Sequence, residues 1–212
     1  MIVHAYHGWA SDPSIWDWLQ TFLGQTDVVC RYDRGYFGGK NHINLEEQPD
    51  VIVTHSMGLM FVPANVLANA TFLVVLNGFA FFPSNDQATK RKTTAMLGRM
   101  KLNLQKDPHV QVEAFCTAAG MHLISRSHPT INVNQLSADL DLLSTAKVIP
   151  NEVCDQAVIH FLHSTNDPIV NPAAISETVS AFSNATHHYI ESSSHNLTDH
   201  TVEAVLKRIF GR

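Results

Sequence analysis

The stretch Val51-Ile52-Val53-Thr54-His55-Ser56-Met57-Gly58 decides how the rest of the chain reads. Three β-branched apolar residues in succession mark a strand buried on both faces, as in a parallel sheet. That strand runs into a serine, and a largely apolar stretch, 59–67, follows. A serine placed where a buried strand turns sharply into a helix is pushed out above the sheet. Its backbone and the helix N-terminus then face any bound carbonyl. Gly58, two residues on, lets the helix pack closely against the turn. Two residues before the serine a sharp elbow wants a small side chain, and there the chain carries Thr54, which is β-branched and crowds the turn. The plain alternative is a serine that caps an ordinary helix.

Outward from this junction, short apolar runs alternate with helical patterns. Strands are predicted at 2–6, 27–32, 51–53, 72–76, 158–162 and 188–191. Helices are predicted at 12–23, 173–182 and 201–210, the first opened by Asp12 as a cap and Pro13 in its first turn. This alternation predicts an α/β fold, a mostly parallel sheet with helices on both faces. Residues 79–150 break the rhythm with helical patterns and little strand character. They are expected to form a helical cap inserted after the strand ending near residue 77, lying over the strand ends. Residues 1–78 and 151–212 form the core.

With 212 residues, 45% of them apolar, the chain has enough material for one full core without staples. A net charge of −5 argues against nucleic acid as a partner. No apolar run approaches the roughly 18 residues of a membrane span. The chain opens directly into Met1-Ile2-Val3, without a charged lead, and Cys30, Cys116 and Cys154 are an odd, widely spaced set. A soluble, cytoplasmic, monomeric protein without a metal site is therefore expected. His187-His188 is rejected as a metal pair because neighbours on a strand point to opposite faces.

A serine hydroxyl attacks well only when a base removes its proton and an acid holds that base in one tautomer. Each partner should follow a later strand. Asp167 stands in a polar loop just beyond 158–162, and His195 in a small-residue loop beyond 188–191. Asp167 before proline also suits a plain turn, and His195 is one of 13 histidines. Asp199 and His200 compete for the same roles, although their place at a helix start suits capping. Two N–H donors must await the oxyanion. One is the amide of Met57, after the serine; the other is the amide of Trp9, in the His7-Gly8-Trp9 loop after the first strand.

The order Ser56, Asp167, His195 is the order of an α/β-hydrolase. Together with His7-Gly8-Trp9, Asp33-Arg34-Gly35-Tyr36-Phe37-Gly38, Ser56-Met57-Gly58 and Asp167-Pro168-Ile169-Val170, it makes the chain resemble that superfamily over nearly its whole length. Within the superfamily it most resembles the pimeloyl-[acyl-carrier protein] methyl ester esterases of bacterial biotin biosynthesis. The resemblance implies a serine esterase that needs no cofactor, and a substrate borne on acyl carrier protein, a strongly acidic partner.

Six of the 14 Lys and Arg residues fall in 90–106, a stretch with no Asp or Glu. Among them, Lys90, Arg91, Lys92, Arg99 and Lys101 are the expected carrier contacts, since such polarity favours an anionic partner. On a helix, Met96, Leu97, Met100 and Leu104 share one arc, apart from a stripe of Lys92, Arg99 and Lys106. A simple solvated face is the alternative. Phe79, Phe81 and Phe82 suit either the wall of an acyl channel or an anchor for the insert. The competing functions are a thioesterase or small-metabolite esterase without a carrier partner, and a non-catalytic binding module of the same fold.

Overall fold

The computed structural model describes residues 1–39, 48–121, 130–192, 194–197 and 200–211. Six parallel strands lie side by side in the order β2-β1-β3-β4-β5-β6. They are β1 (Ile2–Tyr6), β2 (Val28–Tyr32), β3 (Val51–His55), β4 (Phe72–Leu76), β5 (Val158–Ser164) and β6 (Thr186–Ile190). Alternation along each strand builds two cores. Val3, Val53, Val74 and Leu76 face α1 (Asp17–Leu23) and the last helix, His200–Phe210, while Ile52, Leu73, Val75 and Phe161 face the segment 59–67 and Phe182. Asp12 opens the first helical segment by accepting the Ser14 amide at 2.7 Å, and Pro13–Trp16 forms a 3₁₀ turn that leads into α1.

After the serine the helix expected at the turn is broken into short pieces. Ser56–Phe61 is a 3₁₀ turn, Val62 is extended, and α2 (Ala64–Leu67) is only four residues long. Pro63 is the cause, because a proline drives the residue before it out of the helical region.

Residues 79–150 carry α3 (Gln87–Lys106), α4 (Pro108–Ala119) and α5 (Val133–Thr145), with no strand among the described residues. Asp107 ends α3 and caps α4, its carboxylate accepting the Val110 amide, and Pro108 takes the first helical position. Leu97, Leu104, Val112, Leu136 and Leu140 pack into one cluster that continues into Trp9 and Met57 of the strand-end loops. A buried ionic cluster ties these helices down. Asp139 of α5 accepts from Arg34 Nε at 2.8 Å, from Arg34 Nη2 at 2.6 Å and from the Tyr36 hydroxyl at 2.7 Å. No helix among the described residues is long and apolar enough to cross a membrane.

Candidate active site

In a parallel sheet every strand ends on the same edge, and ligands bind where neighbouring connections leave in opposite directions. Here that point lies between β1 and β3, which carry His7-Gly8-Trp9 and Ser56-Met57 at their ends. Ser56 has φ +55°, the left-handed region that only a sharp turn imposes on serine. Two glycines allow the crowding. A Cβ on Gly8 would lie 2.8 Å from Ser56 Cβ, and one on Gly58 would lie 2.3 Å from the Tyr6 carbonyl oxygen.

Asp167 and His195 meet. Asp167 Oδ2 accepts from His195 Nδ1 at 2.7 Å, and its Oδ1 accepts the amides of Ile169 at 2.7 Å and Val170 at 3.0 Å. Burial pushes the Asp167 pKa up, but the bond and charge of His195 and the two amides outweigh it, so the carboxyl sits below its ordinary value. The ionised acid fixes the proton of His195 on Nδ1. That leaves Nε2 buried, with a free lone pair and no hydrogen-bond partner among the described residues.

The residue before Ser56 meets this pair. The His55 ring lies 4.9 Å from that of His195, and His55 Nε2 donates to the His195 carbonyl at 2.9 Å. Burial, then the nearby His195, lowers the His55 pKa to about 3, so His55 is neutral and donates as a fixed support. Among the described residues no hydrogen bond joins Ser56 Oγ to His195 Nε2. This bond commonly tightens only when substrate arrives.

The Trp9 amide is aimed by a relay. The Arg34 amide donates to His7 Nε2 at 3.1 Å, which puts the His7 proton on Nδ1, and Nδ1 donates to the Gly8 carbonyl at 2.8 Å. In a trans peptide the Trp9 N–H points opposite to that carbonyl. Neither the Trp9 nor the Met57 amide makes a loop or cap hydrogen bond among the described residues. The indole anchors the same loop from above, Nε1 donating to the Leu136 carbonyl of α5 at 3.0 Å. The helical segments after Ser56 are short, so no long helix dipole points at this place.

Above the serine lies a small apolar pocket of about 70 Å³, with Trp9, Ser56 and Met57 at its base. Phe79 and Phe82 wall it, and Met96, Met100 and Phe115 close it from the cap. Phe81 is not part of the lining. It is buried elsewhere, beneath Lys147 Nζ, which stands 4.3 Å from its ring centroid, with Lys90 Nζ at 6.0 Å. The acyl-pocket expectation for Phe81 is corrected accordingly: its ring is held by a cation–π contact instead.

Lys90, Arg91, Lys92 and Arg99 are exposed along α3. Lys101 departs from the expected contact set, since both Asp141 oxygens of α5 hold its amine, at 2.6 and 2.7 Å, which offsets its charge within the cap. His187 and His188 do face opposite ways, each pairing with a β5 imidazole, His163 and His160 respectively. Asp199 and the His200 side chain lie outside the described residues.

Three functional candidates escape a sequence reading: His55, Asp139 and Asn77. Asp139 carried a signal, a carboxylate on the same helical face as Leu136, Leu140 and Leu143. Asn77 carried a weaker one, a polar residue directly after an apolar strand, which Asn-Gly disguises as a turn.

No family model matches the chain, and no curated protein matches it. Solved structures do. The chain is similar to an esterase from Exiguobacterium antarcticum at a TM-score of 0.77 and 14% identity, covering 100% of this chain and 91% of that one. It is similar to an enol-lactonase from Burkholderia xenovorans LB400 at a TM-score of 0.65 and 15% identity, covering 99% and 90%. An epoxide hydrolase from Bacillus megaterium gives a TM-score of 0.69 at 13% identity, covering 100% and 93%. The chain has the α/β-hydrolase fold, as the elbow and the strand alternation predict.

Proposed function

We propose that the protein is a serine carboxylesterase. One observation carries the reading: an imidazole bonded through Nδ1 to an ionised carboxylate, its Nε2 buried and bare, packed against His55, the residue that precedes a serine held at φ +55° on a strand end. In this reading His195 Nε2 takes the Ser56 proton as Oγ attacks the ester carbonyl. The Trp9 and Met57 amides hold the oxyanion while Asp167 stabilises the imidazolium. The imidazolium returns the proton to the departing alcohol, and water, activated by the same nitrogen, releases the acid. Ser56→Ala is expected to lower hydrolysis of short p-nitrophenyl esters by at least about 10³-fold. Turnover retained in that variant would overturn the assignment.

The favoured substrate is the methyl ester of pimeloyl-acyl carrier protein, with methanol as the leaving alcohol. Support comes from the family resemblance, the apolar pocket and the exposed Lys90, Arg91, Lys92 and Arg99 beside it. The second reading is a thioesterase or small-ester hydrolase with no carrier, favoured by the small size of the pocket, about 70 Å³. Charge reversal at Lys90, Arg91 and Lys92 separates the two. It should impair a carrier-borne ester and spare a soluble one; an equal effect on both would remove the carrier reading. Covalent labelling of Ser56 by a fluorophosphonate distinguishes either from a non-catalytic binding module.

A further inference from the structure

The three loops of the proposed site hang from different strands, so something must set the distances between them. The β4 end supplies it. Asn77 has φ +46°, a left-handed conformation that asparagine tolerates better than most residues, and its own amide still bonds the Leu162 carbonyl of β5 at 2.8 Å. The twist turns its side chain across the sheet edge. There Oδ1 accepts the Ser164 amide at 2.7 Å, at the root of the loop that carries Asp167. Nδ2 donates to Ser164 Oγ at 2.9 Å and to the His195 carbonyl at 2.8 Å. Ser164 Oγ passes its own proton on to the Ser194 carbonyl at 2.6 Å. The next residue, Gly78, lies against the Ser56 carbonyl, which would stand 3.1 Å from a Cβ placed there.

One buried amide therefore touches the root of the acid loop and the backbone of the base, beside the strand that carries the nucleophile. We propose that Asn77, acting with Ser164, is the positioning residue that sets the separation of Ser56, His195 and Asp167. It touches no reacting atom. His55 braces the same His195 carbonyl from the β3 side, so that oxygen receives two fixed donors. Neither donor reaches the imidazole itself, and the effect is on where the ring stands rather than on its charge. This inference rests on the serine-esterase reading above.

The test uses the whole protein, with rates expressed per fluorophosphonate-titrated site so that misfolded material does not count. A displacement of about 1 Å at a reacting group costs on the order of 100-fold. Asn77→Ala is expected to lower kcat by about that factor, with KM within about twofold and the acid limb of the kcat/KM pH profile left in place. A merely structural residue would lower the melting temperature and leave kcat per titrated site unchanged, and that result overturns the proposal. Should Asn77→Ala fail to fold, Ser164→Ala decides. A kcat loss of about threefold or more at constant KM supports the bracket, and any smaller loss overturns it. If the parent itself takes no fluorophosphonate at Ser56, the esterase reading falls, and this inference with it.

Discussion

Thr54 occupies the place where a tight elbow has least side chain, and the sheet accommodates it intact. Its backbone stays in register between Tyr6 of β1 and Val75 of β4, so only the side chain needs room. The residue is fully buried, and its hydroxyl has no hydrogen-bond partner among the described residues. An orphaned buried hydroxyl costs about 1–3 kcal/mol. Thr54→Val keeps the shape and removes the orphan, so the melting temperature should rise by about 2–4 °C. Thermal denaturation showing an unchanged or lower midpoint would count against this account. At this scale the sequence was legible where chemistry follows a strand directly. Ser56, Asp167 and His195 all stand in such places, and the structure joins the last two while leaving the serine's own hydrogen bond unmade. Phe81 was misjudged because three phenylalanines in four residues cannot all face one pocket, and sequence does not say which turns away.

Among the elements, α5 carries the heaviest electrostatic commitment. Asp139 has 1% exposure on a face shared with Leu136, Leu140 and Leu143, and it survives there only because Arg34, Tyr36 and Gln135 donate to it. Burial, and then the adjacent carboxylate, pushes the Tyr36 pKa well above its ordinary value, so the phenol keeps its proton and goes on donating. Removing one partner of such a pair strands the other charge, at a cost of about 3–5 kcal/mol. Asp139→Ala should lower unfolding stability by about that much in a chemical denaturation series. A loss under about 1 kcal/mol would show that Arg34 finds water instead. Periodicity revealed the helix but not this clamp, since the partner cation lies over a hundred residues away. The opposite failure occurred after Ser56, where the turn implied a helix and Pro63, visible throughout, breaks it.

Over the whole molecule, the histidines govern how stability responds to acid. Burial, then the neighbouring imidazole, lowers His163 to about 4, and His55 lies at about 3 for a similar reason. The unfolded chain takes up these protons near pH 6.5, whereas the folded chain refuses them until far lower. Folding is therefore opposed increasingly as pH falls from about 6.5 toward 4, by roughly 2 kcal/mol per imidazole at pH 5. The depressed Asp167 pKa acts only below the ordinary carboxylate range, so it offers no relief in that window. The melting temperature should drop by about 10 °C between pH 7 and pH 5, and His163→Asn should flatten part of the slope. A flat profile for the parent would contradict this. The layered α/β plan was readable from alternation alone, but the pairing of β5 and β6 histidines was not, because it depends on register.

Among the described residues, Ala10, Ser56, Asn77 and Ser84 are the non-glycine positions with left-handed backbone, and the first three crowd one rim of the sheet. Each such twist opposes folding by about 1–2 kcal/mol. That rim is wound like a spring, kept taut by the packed layers beneath it. Glycine at position 56 would relax that twist and remove the hydroxyl, so under the proposed esterase reading sturdiness and reactivity pull this position in opposite directions.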